Sequence, residues 1–312
     1  NAWTDADATP DVLTAPRANM VYIRGQMQAD LDLQGATDRL NQNLGVFYAL
    51  GAFNGQVTLA GGAGMMMLAD WAAGSLQGTF VSSLISRGSL GATINLTGQN
   101  LYGASVNLMS VIGQVTCPSI TLAGSIRTIV AGLWNVPAFE ALHAGSAIIR
   151  GNFSGAFTLT GQSAAGMSLI VLSVIGSIDN AVLRARGTIN TIVAQSLIDS
   201  TIFAGVRNDL AALPSAPGDF LAPLNPARPA AINVFQISSA VGQMSNSLLA
   251  APTLGTIILR NVQYANGAAP WGLAADETIR LLITYNTGQR PDVNYRVNAS
   301  LPAVGNFEAR VV

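Results

Sequence analysis

The residues that could perform chemistry in this sequence are few and lie far apart. Asp30 and Asp32 are spaced to project from one face of a strand, where paired carboxylates can bind a cation or act on a sugar. Asp5, Asp7 and Asp11 could supply oxygen ligands for calcium. The glycine and the final glutamate of an EF-hand loop are missing, so we interpret these acids as a solvated N-terminal segment.

The single histidine and the single cysteine limit other chemistry. His143 lies near Glu140 and is expected to be a turn residue and not a catalyst. Cys117 cannot form a disulfide within this sequence and is expected to be a small core residue. We therefore assign no catalytic, cofactor-binding or metal-binding residue, and we expect a protein that is not an enzyme.

A gapless repeat of 63 residues relates many positions of the chain. Three segments of 16 residues align at this offset, and they begin at Met20, Ser83 and Ser146. The offset superposes three arginines, three leucines and two sets of glycines: Arg24, Arg87 and Arg150; Leu33, Leu96 and Leu159; Gly35, Gly98 and Gly161; Gly61, Gly124 and Gly187. A glycine-rich composition does not by itself place arginines and leucines in one register, so the repeat is genuine.

The repeat favours structural interpretations of the candidate residues. No acid occupies the positions equivalent to Asp30 and Asp32 in the other copies, which favours a solvated outer face. The three repeated arginines are expected at corners, where their stems cover apolar surface, and a stripe that binds acidic polysaccharide is the alternative. Trp71 and Trp134 could stack on sugars, but Leu197 in the third copy favours a core position.

The local pattern of the repeat predicts short strands that end in tight turns. At residues 94–98 and 157–161, apolar and polar residues alternate over four positions and a glycine follows. Only 10% of the residues are charged and none is lysine, so the ion pairs that support helical repeats cannot form. A single unit of this kind has little to bury, and the units must therefore stack.

We predict an all-β fold, a right-handed parallel β-helix. Inward Val, Ile and Leu fill its core, and outward Thr, Ser, Asn and Gln form ladders. Sixty-three residues divide into three coils of 21, but the repeat glycines are alternately 26 and 37 residues apart, which indicates coils with unequal loops. A β-prism or trefoil with threefold pseudo-symmetry is the structural alternative.

The composition also divides the chain into segments. Residues 1–19 form an N-terminal segment, residues 20–209 the β-solenoid of three repeats, and residues 210–231 a proline-rich linker or strap. Residues 232–312 are expected to hold degenerate coils and a C-terminal cap. Within the cap, residues 275–282 are predicted to form a short helix, and the tail from residue 294 a pair of strands.

Two strings within the repeats resemble a known class of proteins. GSIRTIVAG at residues 124–132 and GTINTIVAQSLIDSTIFAG at residues 187–205 resemble the Gly-, Ser- and Ile-rich repeats of large secreted proteins from planctomycete-type bacteria. Those proteins are similar to right-handed β-helices of the autotransporter and adhesin kind. The resemblance covers about residues 20–265. It implies an exported, surface or matrix location and identifies no functional residue.

Charge and hydropathy indicate which partners to expect. A net charge of −1 with scattered arginines argues against nucleic-acid binding. No apolar run reaches the roughly 18–20 residues of a membrane span, so we expect a chain that does not cross a membrane. The sequence begins at Asn1 and is expected to have lost a signal peptide. Sequons at Asn95, Asn152 and Asn298 matter only if the host glycosylates.

These observations lead to three hypotheses of function. The first is an extracellular structural protein, a subunit of a surface layer, sheath or filament, which forms a homopolymer through the ends of its solenoid. The second is a surface adhesin that binds glycans or cell-surface polysaccharide. The third is a polysaccharide lyase or hydrolase, which would need clustered acids, or calcium ligands with a basic residue, that the repeats lack.

Overall fold

The computed structural model describes residues 11–263, 270–285, 293–297 and 300–312. Strands make up 62% of it and helix 1%, so the fold is all-β as predicted. The chain forms two compact units, Asn1–Gly145 (unit 1) and Ser146–Val312 (unit 2). The division falls between the second and third copies of the 63-residue repeat.

Short strands follow one another along both units. Unit 1 contains β1 (Val12–Ala15), β2 (Ala18–Ile23), β3 (Asp30–Leu33), β4 (Gln42–Ala52), β5 (Gln56–Leu59), β6 (Gly62–Asp70), β7 (Ser75–Gly78), β8 (Val81–Ser86), β9 (Thr93–Leu96), β10 (Ala104–Val115), β11 (Ile120–Leu122) and β12 (Ser125–Ala141). The division between the units lies within β13 (Ala144–Ile149). Unit 2 contains β14 (Phe153–Leu159), β15 (Met167–Val174), β16 (Ser177–Ala185), β17 (Thr188–Ala194), β18 (Ser196–Ile198), β19 (Thr201–Ala204), β20 (Ala231–Ile237), β21 (Met244–Ser245), β22 (Leu248–Ala250), β23 (Thr253–Val262), β24 (Trp271–Ala275), β25 (Thr278–Tyr285), β26 (Val293–Val297), β27 (Leu301–Val304) and β28 (Phe307–Val311).

Strands of unit 1 pair in parallel with the equivalent strands of the next coil. One series, β2–β4–β6–β8–β10–β12, forms sheet A. A second series, β1–β3–β5–β7–β9–β11, forms sheet B. Because each strand is followed along the chain by a strand of the other sheet, the backbone winds around a shared core. This order confirms the predicted parallel β-helix and is not that of a prism or trefoil.

The register of sheet A gives the length of each coil. Val21 pairs with Phe47, Phe47 with Met66, and Met66 with Leu84. These steps of 26, 19 and 18 residues add to 63, so one repeat is three coils, as predicted. Their unequal lengths arise because the loops between strands differ, while the strands keep their register.

Unit 2 is also wound from parallel strands, and it contains one long coil. Its strands form sheet C (β15–β17–β20–β23–β25) and sheet D (β14–β16–β19–β22–β24–β28). Ile192 pairs with Phe235, a step of 43 residues that includes the proline-rich segment. The expected return of coils after that segment is confirmed by β20 and β23.

The core positions predicted from the repeat are confirmed. Leu33, Leu96 and Leu159 are no more than 1% exposed. Trp71, Trp134 and Leu197 are completely buried, although one position of this set holds leucine. The members of each set agree in burial, and the 63-residue register therefore describes the inward faces correctly.

Buried polar side chains at one corner explain the repeat glycines. The Oγ of Ser105 donates to the carbonyl oxygen of Gly98 at 2.6 Å and accepts from the N–H of Gly124 at 2.8 Å. Ser168 forms the same two bonds, with Gly161 and Gly187. In the first copy Asn43 donates to the carbonyl oxygen of Gly35 at 2.8 Å. Each of these side chains satisfies backbone groups that a corner removes from the ladders.

We expect replacement of Ser105 by alanine to lower the free energy of unfolding by about 2–4 kcal/mol, because the buried N–H of Gly124 and the partly buried carbonyl oxygen of Gly98 lose their partner, at about 1–3 kcal/mol for a fully buried group. Urea denaturation followed by circular dichroism measures the change. The control is Ser83→Ala, on the outward side of sheet A, for which we expect a change below about 0.5 kcal/mol. Equal effects of the two substitutions would contradict the corner role of Ser105.

The predicted helix at residues 275–282 is wrong. Those residues lie in β24, a two-residue bend and β25. Leu249 of β22 pairs with Leu273, and Leu254 of β23 pairs with Ile279, so the preceding coil supplies hydrogen-bond partners for both segments. This template outweighs the weak helix preference of the sequence. The predicted strand pair of the tail is confirmed by the antiparallel strands β27 and β28.

The proline-rich segment lies against the outside of sheet D, and we call residues 207–230 the strap. Arg184, Arg186 and Arg310 each donate to strap carbonyl oxygens. Arg228 of the strap donates to the carbonyl oxygen of Ala165. The segment is therefore a strap on the outside of unit 2, and not a linker, which was the other alternative predicted from its prolines.

Candidate functional surfaces

The outer face of sheet B is polar, as predicted. One outward column runs through equivalent positions of successive coils: Thr14, Asp32, Thr58, Gln77, Asn95 and Thr121. In a neighbouring column the Oδ1 of Asp30 accepts from the N–H of Gln56 at 2.7 Å. These side chains form the outward ladders that the alternating sequence pattern predicts.

The outer face of sheet A in unit 1 differs from the predicted polar ladders. Two of its outward columns are Met20, Val46, Met65, Ser83, Leu108 and Thr128, and Tyr22, Tyr48, Met67, Ile85, Ser110 and Val130. The rings of Tyr22 and Tyr48 stack with centroids 5.5 Å apart. Nine of these twelve residues are apolar or aromatic and none is charged. The prediction of outward Thr, Ser, Asn and Gln is therefore wrong for this face.

The first strands of unit 1 leave one edge unpaired among the described residues. β1 pairs with β3, and β2 pairs with β4, each on one side. The N–H of Asp30 donates to the carbonyl oxygen of Asp11 at 2.7 Å. In a parallel strand, every second residue directs its backbone groups to the same neighbour. Because Asp11 bonds to β3, Val12 and Thr14 direct their N–H and C=O groups to the opposite side, away from β3.

The acidic residues do not assemble into a cluster within the described part of the chain. Asp30 and Asp32 both lie on the predicted outer face of sheet B, but each is partly buried and the Oδ1 of Asp32 is shielded from solvent. Asp5 and Asp7 lie outside the described residues, and Asp11 is exposed immediately before β1. Over the ranges that the structure covers, no group of three His, Cys, Asp or Glu residues is placed to hold a metal ion.

The repeated arginines occupy equivalent bends. Arg24, Arg87 and Arg150 are exposed, and each follows directly after a strand that ends at residue 23, 86 or 149. The N–H of Arg87 donates to the carbonyl oxygen of Leu68 at 3.0 Å, so the backbone of this arginine is part of the corner. The predicted corner position is confirmed for all three.

Cys117 and His143 are placed as the sequence predicts. Burial raises the pKa of the Cys117 thiol to about 12, and its Sγ lies 3.4 Å from the carbonyl oxygen of Leu90. His143 lies in the two-residue turn between β12 and β13. Partial burial, and secondarily the charge of Arg127, lower the pKa of this imidazole. The thiol is therefore protonated at neutral pH, and it is a core residue.

The sequons lie at different kinds of position. Asn95 projects from the exposed side of β9. Asn152 is exposed in a bend, and its Oδ1 accepts from the N–H of Ser177 at 3.1 Å. Asn298 lies outside the described residues. A glycan at Asn95 would cover the polar column of sheet B.

No family model matches this chain, and neither a curated protein nor a solved structure shows similarity to it. Among the residues that the structure describes, there is no helix of sufficient length and hydrophobicity to cross a membrane. The function is therefore argued from three surfaces: the polar face of sheet B, the apolar face of sheet A, and the open edge of β1 and β2.

Proposed function

We propose that this chain is a non-enzymatic structural subunit of an extracellular layer, sheath or filament, and that copies join through the ends of the β-helix. The single observation that carries the proposal is the open edge of β1 and β2 in the described part of unit 1. Neither strand contains a proline, an arginine or an acid. Natural proteins use such residues to prevent a free edge from pairing with another chain, so this edge is suited to pairing.

The opposite end of the chain supports assembly in one direction. In unit 2 the parallel ladder gives way to antiparallel strands, because β26 pairs antiparallel with β25 and β27 with β28. The first and last strands are therefore unlike surfaces. A contact between unlike surfaces does not stop at a dimer, and it extends into a filament unless its rotation closes a ring.

The low charge of the chain also supports self-assembly. The sequence has 15 basic and 16 acidic residues in 312, so little net repulsion opposes the approach of copies. The resemblance of the repeats to those of secreted surface proteins supports an extracellular location for the assembly.

We expect Val12→Pro/Thr14→Pro to abolish polymerisation, because proline removes the two N–H donors that face away from β3. The bonds between β1 and β3 are retained, since the other residues of β1 form them. The matched control, Val12→Ala/Thr14→Ala, keeps both N–H groups and should polymerise. Sedimentation velocity and negative-stain microscopy of the three full-length chains measure the outcome. Filaments in the proline variant would contradict the proposal.

An adhesin is the second candidate, and the polar outer face of sheet B favours it. Exposed Gln77 and Asn95 form part of a flat column of hydroxyl and amide groups that suits hydrogen bonds to a glycan. If the natural sequence is monomeric at high micromolar concentration and binds a polysaccharide array, the adhesin replaces the structural subunit as the proposed function.

A further inference from the structure

The apolar outer face of sheet A in unit 1 has the character of an interface. Met20 is 64% exposed and Tyr22 is 50% exposed, although both are large and apolar or aromatic. The equivalent columns of sheet B, formed by the same coils, contain Thr, Gln, Asn and Asp. The low overall charge of the chain therefore does not explain the apolar face, because the outer face of sheet B belongs to the same coils and is polar.

Side-chain size changes across this face from one side to the other. In the two apolar columns the residues of β2, β4 and β6 are large, with two tyrosines, three methionines and one valine. Those of β8, β10 and β12 include two serines and a threonine beside Ile85, Leu108 and Val130. A surface with one bulky half and one half with small residues is complementary to itself when one copy is reversed.

We propose that this face packs against the same face of a second copy, around a two-fold axis that runs parallel to the strands between β6 and β8. This rotation places β2 opposite the partner's β12, β4 opposite β10, and β6 opposite β8. Met20, Tyr48 and Met65 then lie opposite Thr128, Ser110 and Ser83 of the second copy, while Val46 lies opposite Leu108 and Met67 opposite Ile85. The two columns themselves have no charge, and Arg127 of β12 is the one charged residue beside them in the same register, so the face offers little to a partner that is recognised through complementary charge.

The dimensions of the face set the strength of the contact. Six strands at about 4.8 Å spacing, and about 20 Å along each strand, give roughly 500–600 Å² per copy. Two copies that pack through this face bury roughly 1,000–1,200 Å² in total, which is the lower end of the area buried in specific interfaces. The dimer is therefore concentration-dependent. It goes beyond the proposed function, since it joins copies side by side and does not involve the edge of β1 and β2.

The first experiment compares two variants that each add two glutamates. Val46→Glu/Ile85→Glu places them on the outer face of sheet A, on β4 and β8. The matched control, Thr58→Glu/Asn95→Glu, places them on sheet B, on β5 and β9, which are also two strands apart. Both are made in the full-length chain with Val12→Pro/Thr14→Pro, so that edge pairing does not contribute, and sedimentation equilibrium gives the dimer dissociation constant.

We expect the sheet A variant to weaken dimerisation by at least about tenfold and the sheet B variant to leave it unchanged. Equal weakening by both variants would overturn the proposal. The proposal would also be overturned if the Val12→Pro/Thr14→Pro chain stays monomeric at high micromolar concentration. Binding of that monomer to neutral phosphatidylcholine vesicles would then show that the face contacts lipid and not a second copy. Because filaments are read out separately, failure of the edge proposal and failure of this one are distinguishable.

The second experiment tests the two-fold arrangement. Val46 of β4 lies opposite the partner's Leu108 of β10, whereas within one chain these residues are three strands apart, about 14 Å. Val46→Glu and Leu108→Arg should each weaken the dimer, and the double variant should restore it, because each glutamate then faces an arginine of the other copy. A double variant no tighter than the single ones would overturn the arrangement.

Discussion

Trp71→Ala is expected to lower the free energy of unfolding by about 3–5 kcal/mol, the range for truncation of a large buried aromatic side chain. The indole is completely buried, and its ring centroid lies 5.1 Å from that of Phe53. Phe53 in turn contacts Phe47 edge to face at 5.1 Å. Removing the indole therefore leaves a cavity inside an aromatic cluster, which the rigid coils above and below cannot fill.

Two further substitutions separate the sources of this loss. Trp71→Leu should cost less than Trp71→Ala, because leucine fills part of the cavity, as Leu197 does at the equivalent position. It still loses the bond from the indole Nε1 to the carbonyl oxygen of Gly55, at 3.3 Å. Gln77→Ala, at an exposed position, should change stability by less than about 0.5 kcal/mol. Urea denaturation followed by circular dichroism measures all three, and a loss below about 1 kcal/mol for Trp71→Ala would contradict this account.

The inward half of the fold was predictable because a parallel β-helix makes the interior periodic. Each coil places a residue above its equivalent in the preceding coil, so Leu33, Leu96 and Leu159 face the same environment. The 63-residue offset therefore identifies core positions without any structure. It also predicted that Leu197 substitutes for tryptophan inside the core.

The outward faces were not predictable in the same way. Alternation of apolar and polar residues identifies the inward side of a strand only where the outward side is polar, as on sheet B. On β4 and β6 both sides are apolar, and the pattern does not show which residues are outward. Met65 and Met67 thus gave no signal of the apolar face until the register of sheet A was known.

Corner chemistry was also missed. The repeat glycines were recognised, but their partners, Ser105 and Ser168, were not, although the 63-residue offset superposes these two serines as well. Asn180, Asp199 and Asn246 adopt φ angles of 50°, 45° and 44° at equivalent corners of unit 2. Asparagine and aspartate tolerate this left-handed conformation better than other residues with a side chain. Sequence spacing did not show this set, because the strap separates the last two members.

The strap creates a second apolar cluster on the outside of sheet D. Phe203 projects outward from β19 and is nevertheless only 1% exposed. It packs with Leu213 of the strap and with Ala250 and Ala274 of the following coils, and Leu210 and Phe220 lie against the same cluster. The guanidinium of Arg184 lies 5.1 Å from the centroid of the Phe203 ring and donates to two strap carbonyl oxygens. An outward phenylalanine is therefore a core residue because of a segment that is not part of the sheet.

Phe203→Ala should lower the free energy of unfolding by about 3–5 kcal/mol and loosen the strap. Trypsin cleavage after Arg207 should become faster, because the ring that anchors the strap is lost while this cleavage site remains. The control is Val182→Ala, an outward residue of β16 that is 40% exposed and should change neither stability nor cleavage. If Phe203→Ala lowers stability but leaves tryptic cleavage of the strap unchanged, the arginine bonds alone hold the strap. If it changes neither, the outer cluster contributes nothing to unit 2.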